Sequence, residues 1–496
     1  MPFTGPGICL LVVASCAALA GGCAAGRPVP PVQLSAEIPG TVACERFYAI
    51  LDDRVASAGV GDGAGAAIAG APWLRSSRWL AAGARLLQPY EDWVAALRER
   101  EVEARLSEVI NLPAATRQEL AAAGPGPDLA SAILTCSETL AAATIAAGGA
   151  REPLHEGAAV ADEYISWHRW AGLYPLTRFA IQVGVRVWQN RVEAEFRNTI
   201  AGDPWPARYV PAADARLPAA GPDGRLFRLP RDGLDRLDSE HMITGLLFAA
   251  YAPVIEMESG QPWNLPGTPF WEAPQRPNVL TGAPRLYTFL DHVDFHGAVL
   301  PRLNYVVWFS SRPKRHVLDL LGGRLDGMTI RMTLDSRGQP LHLETMHNCG
   351  CFHQHYLLGD AAARPDHGYA ERPLVLAGPQ LPGPGERWLF RLQDRSHYVA
   401  AIGVTAATET GTPYALSAYS ELAALRDGDG GYRSLFRPDG LIAGTSRDER
   451  VLFWVSGIPD PGAMRRHGRH ATAFVGRRHF DDPDLLERVI IPDRMP

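Results

Sequence analysis

The segment "LETMHNCGCFHQHY", residues 343 to 356, sets two cysteines one residue apart among three histidines. His347, Cys349, Cys351, His353 and His355 share parity, so on an extended strand they would lie on one face. Two thiols and three imidazoles are poor material for an apolar core. They are good material for a soft or borderline metal such as Zn(II), or copper. A strand rises about 3.3 Å per residue, so the outer histidines would stand roughly 26 Å apart if the chain ran straight. One ion therefore needs a turn, and Gly350 is where it can form. The economical ligand set is Cys349 and Cys351 with His347 and one of His353 or His355. Two other readings stay open. Cys349 and Cys351 can close on each other as a strained, easily reduced bridge, with the histidines lowering the thiol pKa values. Or the cysteines pair elsewhere and the histidines are surface residues.

A second polar cluster is "LDHVDFHG", with His292, Asp294 and His296 on one strand face. A satisfied polar edge is the plain reading. If this strand paired with the Cys/His strand, His292 or Asp294 would complete the metal set and Glu344 would serve as a nearby acid or base. Other chemistries are missing. "LHEGAAVAD" begins like HExxH but lacks the second histidine, and G-x-S-x-G is absent. Lys314 is the only lysine, which leaves little room for a P-loop or Schiff-base mechanism. "GVGDGAGAAIAG" has alanines where a dinucleotide loop needs its third glycine, and reads as a flexible connection. The C-terminal "MRRHGRHATAFVGRRHFDD" reads as a solvated charged face, with an anion-binding surface as the alternative.

These residues need elements to hold them. At 496 residues the chain has room for several domains, and its charged content of 21% is ordinary for a globular protein. A net charge of -6 gives no reason to expect nucleic acid as a partner. Residues 1–22 read as a signal peptide: "ICLLVVASCAAL" is too short to span a bilayer as a helix. "LAGGC" follows, a lipoprotein-type cleavage site that makes Cys23 the acylated first residue, although Leu19 stands one place early. Cleavage after Ala20 would instead release a soluble exported protein. Both readings export the chain, and the first places it on the periplasmic face of a bacterial membrane, held by a lipid anchor. Residues 23–43 read as a Pro-rich tether. In an oxidising compartment Cys44 and Cys136 are candidates for a disulfide, against two buried free thiols.

Residues 44–197 show helical periodicity. Tyr90, Trp93, Val94, Leu97, Leu106, Val109 and Ile110 fall near one face, between Pro89 and Pro113. "ISWHRWAGLYPLTRFAIQVGVRVWQNRV" reads as helix core, with a membrane-surface aromatic patch as the alternative. Residues 198–279 read as a connection with one helix, capped by Asp238 or Ser239 and stopped at Pro253. From 280 to 496 the period changes to two. A hairpin is expected over "GMTIRMTLDSRGQPLHLETMH" with its turn at Ser336 to Gly338, and "RVLFWVSGI" is expected as a late strand. The class is α+β, helices first and a mainly antiparallel sheet after.

Taken together, "PWLRSSRWLA", "LNYVVWF", "GGRLDGMTIRMTLD", "CGCFHQHY" and "GRHATAFVGRRHFDD" resemble a group of bacterial lipoproteins without an assigned activity. The likeness covers most of the mature chain. It implies export and carries over no catalytic residue. The reading is an envelope protein with a Cys/His metal site, in enzymatic form a metal-assisted hydrolase acting on a small molecule or protein. The alternatives are a thiol–disulfide protein and a non-catalytic scaffold.

Overall fold

The computed structural model describes residues 31–83, 89–147, 151–212, 230–239, 241–407, 410–428 and 430–493. Cys23 and the segment read as a signal peptide lie outside them. The fold is α+β, with a helical N-terminal part followed by a largely β part.

The helical part packs Thr41–Ala58, Tyr90–Ile110, Ala114–Ala123 and Leu129–Ala146 around one core of Phe47, Leu51, Trp93, Leu97, Ile133 and Leu140. Cys44 and Cys136 lie in that core and form a disulfide. Leu129–Ala146 is long and apolar enough to cross a membrane, but half of it is buried against its neighbours, as in a core helix. The Tyr90–Ile110 helix follows its expected bounds with one difference of face. Leu106 is exposed, while Glu101, Arg105 and Glu108 are buried. Arg75 explains the exchange. It reaches the helix from an earlier strand and binds Glu101 at 2.8 Å and Glu108 at 3.3 Å.

Arg75 belongs to a hairpin that periodicity did not show: β1 (Ala66–Ile68) paired with β2 (Ala71–Ser76). The glycine-rich run before it is packed rather than flexible. A side chain at Gly65, where φ is +64°, would meet the Ser76 carbonyl at 2.4 Å.

The connection over 198–279 also supplies strands. β3 (Ala207–Pro211) and β4 (Val254–Met257) join the main sheet, and β5 (Thr268–Ala273) pairs with β6 (Arg276–Leu280). The expected helix, Met242–Tyr251, is capped by His241, whose ring accepts from the Ile243 N–H, rather than by Asp238 or Ser239.

β7 (Arg285–Phe295), β8 (Ala298–Arg312), β9 (Gly323–Leu334), β10 (Pro340–His347) and β11 (Gln354–Leu357) run as an antiparallel meander. The short β12 (Ala362–Ala363) lies apart, β13 (Leu374–Ala377) pairs parallel to β11, and β14 (Glu386–Leu392), β15 (Val399–Ala406) and β16 (Thr412–Ala418) complete the set. The order in the eleven-stranded sheet is β13-β11-β10-β9-β8-β7-β16-β3-β4-β14-β15. The hairpin turn falls where expected. Asp335 accepts the Arg337 and Gln339 amides at 2.9 Å each, and Gly338 takes φ +79°.

The Tyr174–Glu195 helix serves the sheet, not the helical part. Gln189 donates to the Arg372 carbonyl beside β13, and Arg197, just past the helix, bridges to Ala401 of β15. Its core role is slight: Ile181 and Gln189 alone of its residues are buried. Arg450–Phe453 and Trp454–Ser456 are helical turns, which corrects the late strand expected there. Val451 and Leu452 of that run are exposed and lie in no strand ladder.

A buried polar face and the candidate metal centre

Strand alternation splits the meander into two unlike faces. Leu303, Tyr305, Ile330, Met332, Leu343 and Tyr356 fill an apolar core. Most of their neighbours of opposite parity are polar, with Val306 and Leu357 as exceptions. Register sets Asn304 beside Arg331, Arg331 beside Glu344, and Glu344 beside His355. A second row runs Asp291, Arg302, Thr333, His342. Directly paired residues point to the same side, so the rows form one polar layer. The C-terminal segment closes over it. Arg331 donates to the Phe480 carbonyl at 2.6 Å and lies 3.5 Å over the Phe480 ring. His467 packs 4.0 Å from the Phe289 ring. His470, Arg478 and His479 are buried, which corrects the solvated face expected for this stretch. The ion pair of Arg477 is with Asp162, and Arg478 pairs with Glu371 at 3.3 Å.

Glu344 is the hub. Its carboxylate takes two hydrogen bonds of 2.8 Å from Arg331 and one of 2.9 Å with His353 Nε2. His355 Nδ1 stands 3.3 Å from Glu344 Oε1 and 3.1 Å from His342 Nε2. Burial pushes the Glu344 carboxyl up, but Arg331 and His353 outweigh it and hold it well below the ordinary range. Burial lowers His342 and His353 to about 4 and His355 well below its usual value. Neutral imidazoles beside an ionised carboxylate are the state that metal ligation requires.

His342, Glu344 and His355 bring their ligand atoms within 4.8 Å of one another, and this group could hold a metal ion. Two imidazoles and a carboxylate are a zinc ligand set with one position left over. Arg331 works against it, because its guanidinium already engages both oxygens of Glu344. The other ring nitrogens, His342 Nδ1 and His355 Nε2, have no hydrogen-bond partner.

The expected residues therefore divide. Glu344, His353 and His355 come together. Cys349 and Cys351 do not join them. The chain turns at Gly350, as anticipated, and the turn throws both thiols to the wall of a separate apolar cavity. Both are free, and the Cys351 amide contacts Cys349 Sγ at 3.3 Å. Contact with Cys349 and burial push the Cys351 thiol well above its ordinary value, the reverse of activation by neighbouring histidines. His347 turns instead to Asp326 at 3.7 Å, where His397 also binds at 2.7 Å.

His292 and Asp294 both meet Trp79. The ring of His292 lies 5.8 Å from that indole, and Asp294 accepts its N–H at 3.0 Å. His292 also accepts the Leu237 amide at 3.0 Å. His296 sits past the strand, 3.8 Å from Glu487. None of the three approaches the centre as expected, because β8 and β9 separate β7 from β10, a gap of about 14 Å at ordinary strand spacing. His342 was missed. Its signal is parity: it stands two residues before Glu344 on the same strand.

Comparison with protein-family models, with curated proteins and with solved structures finds no match, so geometry alone carries the functional reading.

Proposed function

We propose that this is an exported, lipid-anchored envelope protein that holds one transition-metal ion, zinc, between His342, Glu344 and His355. The observation that carries it is the mutual approach of three buried ligand atoms; burial favours the neutral imidazoles, and Arg331 the ionised carboxylate, that ligation needs. The donor set moves the site off the thiols, and carboxylate with imidazole suits zinc better than cuprous copper. Three protein ligands leave a position for water, so the reaction class such a centre serves is hydrolysis. His353, bound to Glu344 through Nε2, lines the neighbouring cavity and has its Nδ1 unpartnered. It is the group placed to pass a proton between the two.

Tag-free protein isolated from the envelope should carry about one zinc per chain by elemental analysis. His342→Ala and His355→Ala should each release it, and a Cys349→Ala/Cys351→Ala double variant should keep it. Metal that is absent from the parent, or lost only from the cysteine variant, ends this reading. The lipid anchor has its own test: labelled fatty acid should enter the protein and fail to enter Cys23→Ser.

The Arg331–Glu344 bonds favour a second reading, in which the layer is a metal-free charged network that holds register in a scaffold protein. It predicts no metal in any variant.

A further inference from the structure

The Tyr174–Glu195 helix has apolar residues on two sides. One side walls a cavity of about 580 Å3, within the roughly 300–1,000 Å3 typical of small-ligand sites. Ile181, Val185 and Trp188 contribute from the helix, and Phe352, Phe453 and Phe474 from the opposite wall. Ala180 and Gly184, also on the wall, are exposed, so the cavity opens along the helix. The other side faces out. Leu176, Phe179, Val183 and Val187 are 57–69% exposed and recur at three- and four-residue steps, a stripe roughly 16 Å long. Trp167 and Trp170 just before the helix are 64% and 78% exposed, and Val451 and Leu452 add to the same apolar surface character.

A soluble helix has no reason to present apolar residues on its outer side. Charge says what covers this one. Residues 164–192 contain four arginines and no aspartate or glutamate. Arg169 is engaged by the Ser456 and Gly476 carbonyls, and Arg191 by Glu195. Arg178 and Arg186 remain exposed, and Arg178 lies 5.0 Å over the Phe179 ring at the edge of the stripe. An apolar stripe flanked by arginine and tryptophan matches the interface of an anionic bilayer.

We infer that this helix docks on an anionic membrane surface and admits the acyl chain of a membrane lipid into the cavity beneath it. The apolar wall, largely aromatic, receives the chain. The Cys349 and Cys351 thiols, on the same lining, offer the lipid's carbonyl weak hydrogen bonds. The inference does not rest on the metal reading: no ligand of the centre lines the cavity, although His353 is common to both.

The test uses a chain beginning at Ala24, which carries no acyl anchor and keeps every described residue. It should co-float with phosphatidylcholine vesicles containing phosphatidylglycerol, less at high salt, and weakly with phosphatidylcholine alone. Leu176→Glu/Phe179→Glu should cut binding at least about tenfold without changing the thermal unfolding midpoint or the zinc content. Gly184→Phe, at a position where an added Cβ meets nothing within 4 Å, should fill the cavity. It should keep vesicle binding and lose uptake of a pyrene-labelled fatty acid. Failure of the parent to bind vesicles, or binding that survives the glutamate pair, overturns the docking. So does a dimer that the glutamate pair dissociates while vesicles are ignored, which would make this face an interface between copies. Uptake undiminished in Gly184→Phe overturns the cavity.

Discussion

Glu344→Gln removes one charge and almost no volume, and its cost follows from what it leaves behind. The Arg331 side chain is 0% exposed and that of Glu344 is 3% exposed. Stranding one partner of a buried pair typically costs about 3–5 kcal/mol. Arg331 keeps the Phe480 carbonyl at 2.6 Å and the Phe480 ring, so the lower end, about 3 kcal/mol, is expected. The control is Glu195→Gln. It breaks the Arg191–Glu195 pair, where both side chains are about half exposed or more and such pairs are worth about 0.5 kcal/mol or less. Urea unfolding should show a clear drop in midpoint for Glu344→Gln and none for the control. Adding Arg331→Met should recover most of the loss, because the unpaired charge goes too. A Glu344→Gln cost no larger than the control, or single costs that simply add in the double variant, would refute the reasoning.

Three further outcomes are expected. Replacing Cys44 and Cys136 by alanine should destabilise the helical part by about 4–5 kcal/mol, from closure of a loop with sequence separation 92; non-reducing mass mapping of the parent should join these two residues. Burial raises the Glu449 carboxyl from 4.5 to about 7, so the folded state holds its proton longer than the unfolded chain. Stability should therefore fall as pH rises from about 4.5 to about 7 and level off above, by at most about 3 kcal/mol. Thermal midpoints against pH should show this slope in the parent and lose it in Glu449→Gln. Alkylation of Cys351 at mildly alkaline pH should be slow in the folded protein and rise to the rate of a free thiol in urea, because burial and contact with Cys349 oppose ionisation.

Local rules in the chain suffice for much of this architecture. The change of period near residue 280 separates most of the helix from most of the sheet, although β3 and β4 of that sheet come before it. Asp335 and Gly338 mark the β9–β10 turn, and the turn sets register, so that Arg331 faces Glu344. The expectation of export, together with two cysteines in helical sequence, suggested the Cys44–Cys136 pairing that the fold contains.

Other features are decided only when distant segments meet. His347, Cys349, Cys351, His353 and His355 share parity, but the turn at Gly350 breaks the strand that parity assumes. The thiols face a cavity whose walls come from residues near 180, 450 and 473. His355 joins Glu344 because a loop returns it to the neighbouring strand, and His342 joins because the same register brings it alongside. The two helices that periodicity misjudged fail for the same reason. Leu106 was expected inside but is exposed, because Arg75, from another element, pairs with Glu101 and Glu108 in the interior, and Arg105 binds the same two carboxylates. The Tyr174–Glu195 helix looked like core, yet its apolar residues outnumber the surface that the sheet offers it. Periodicity states how many faces a helix has; burial depends on what packs against each, and that is a property of the assembled fold.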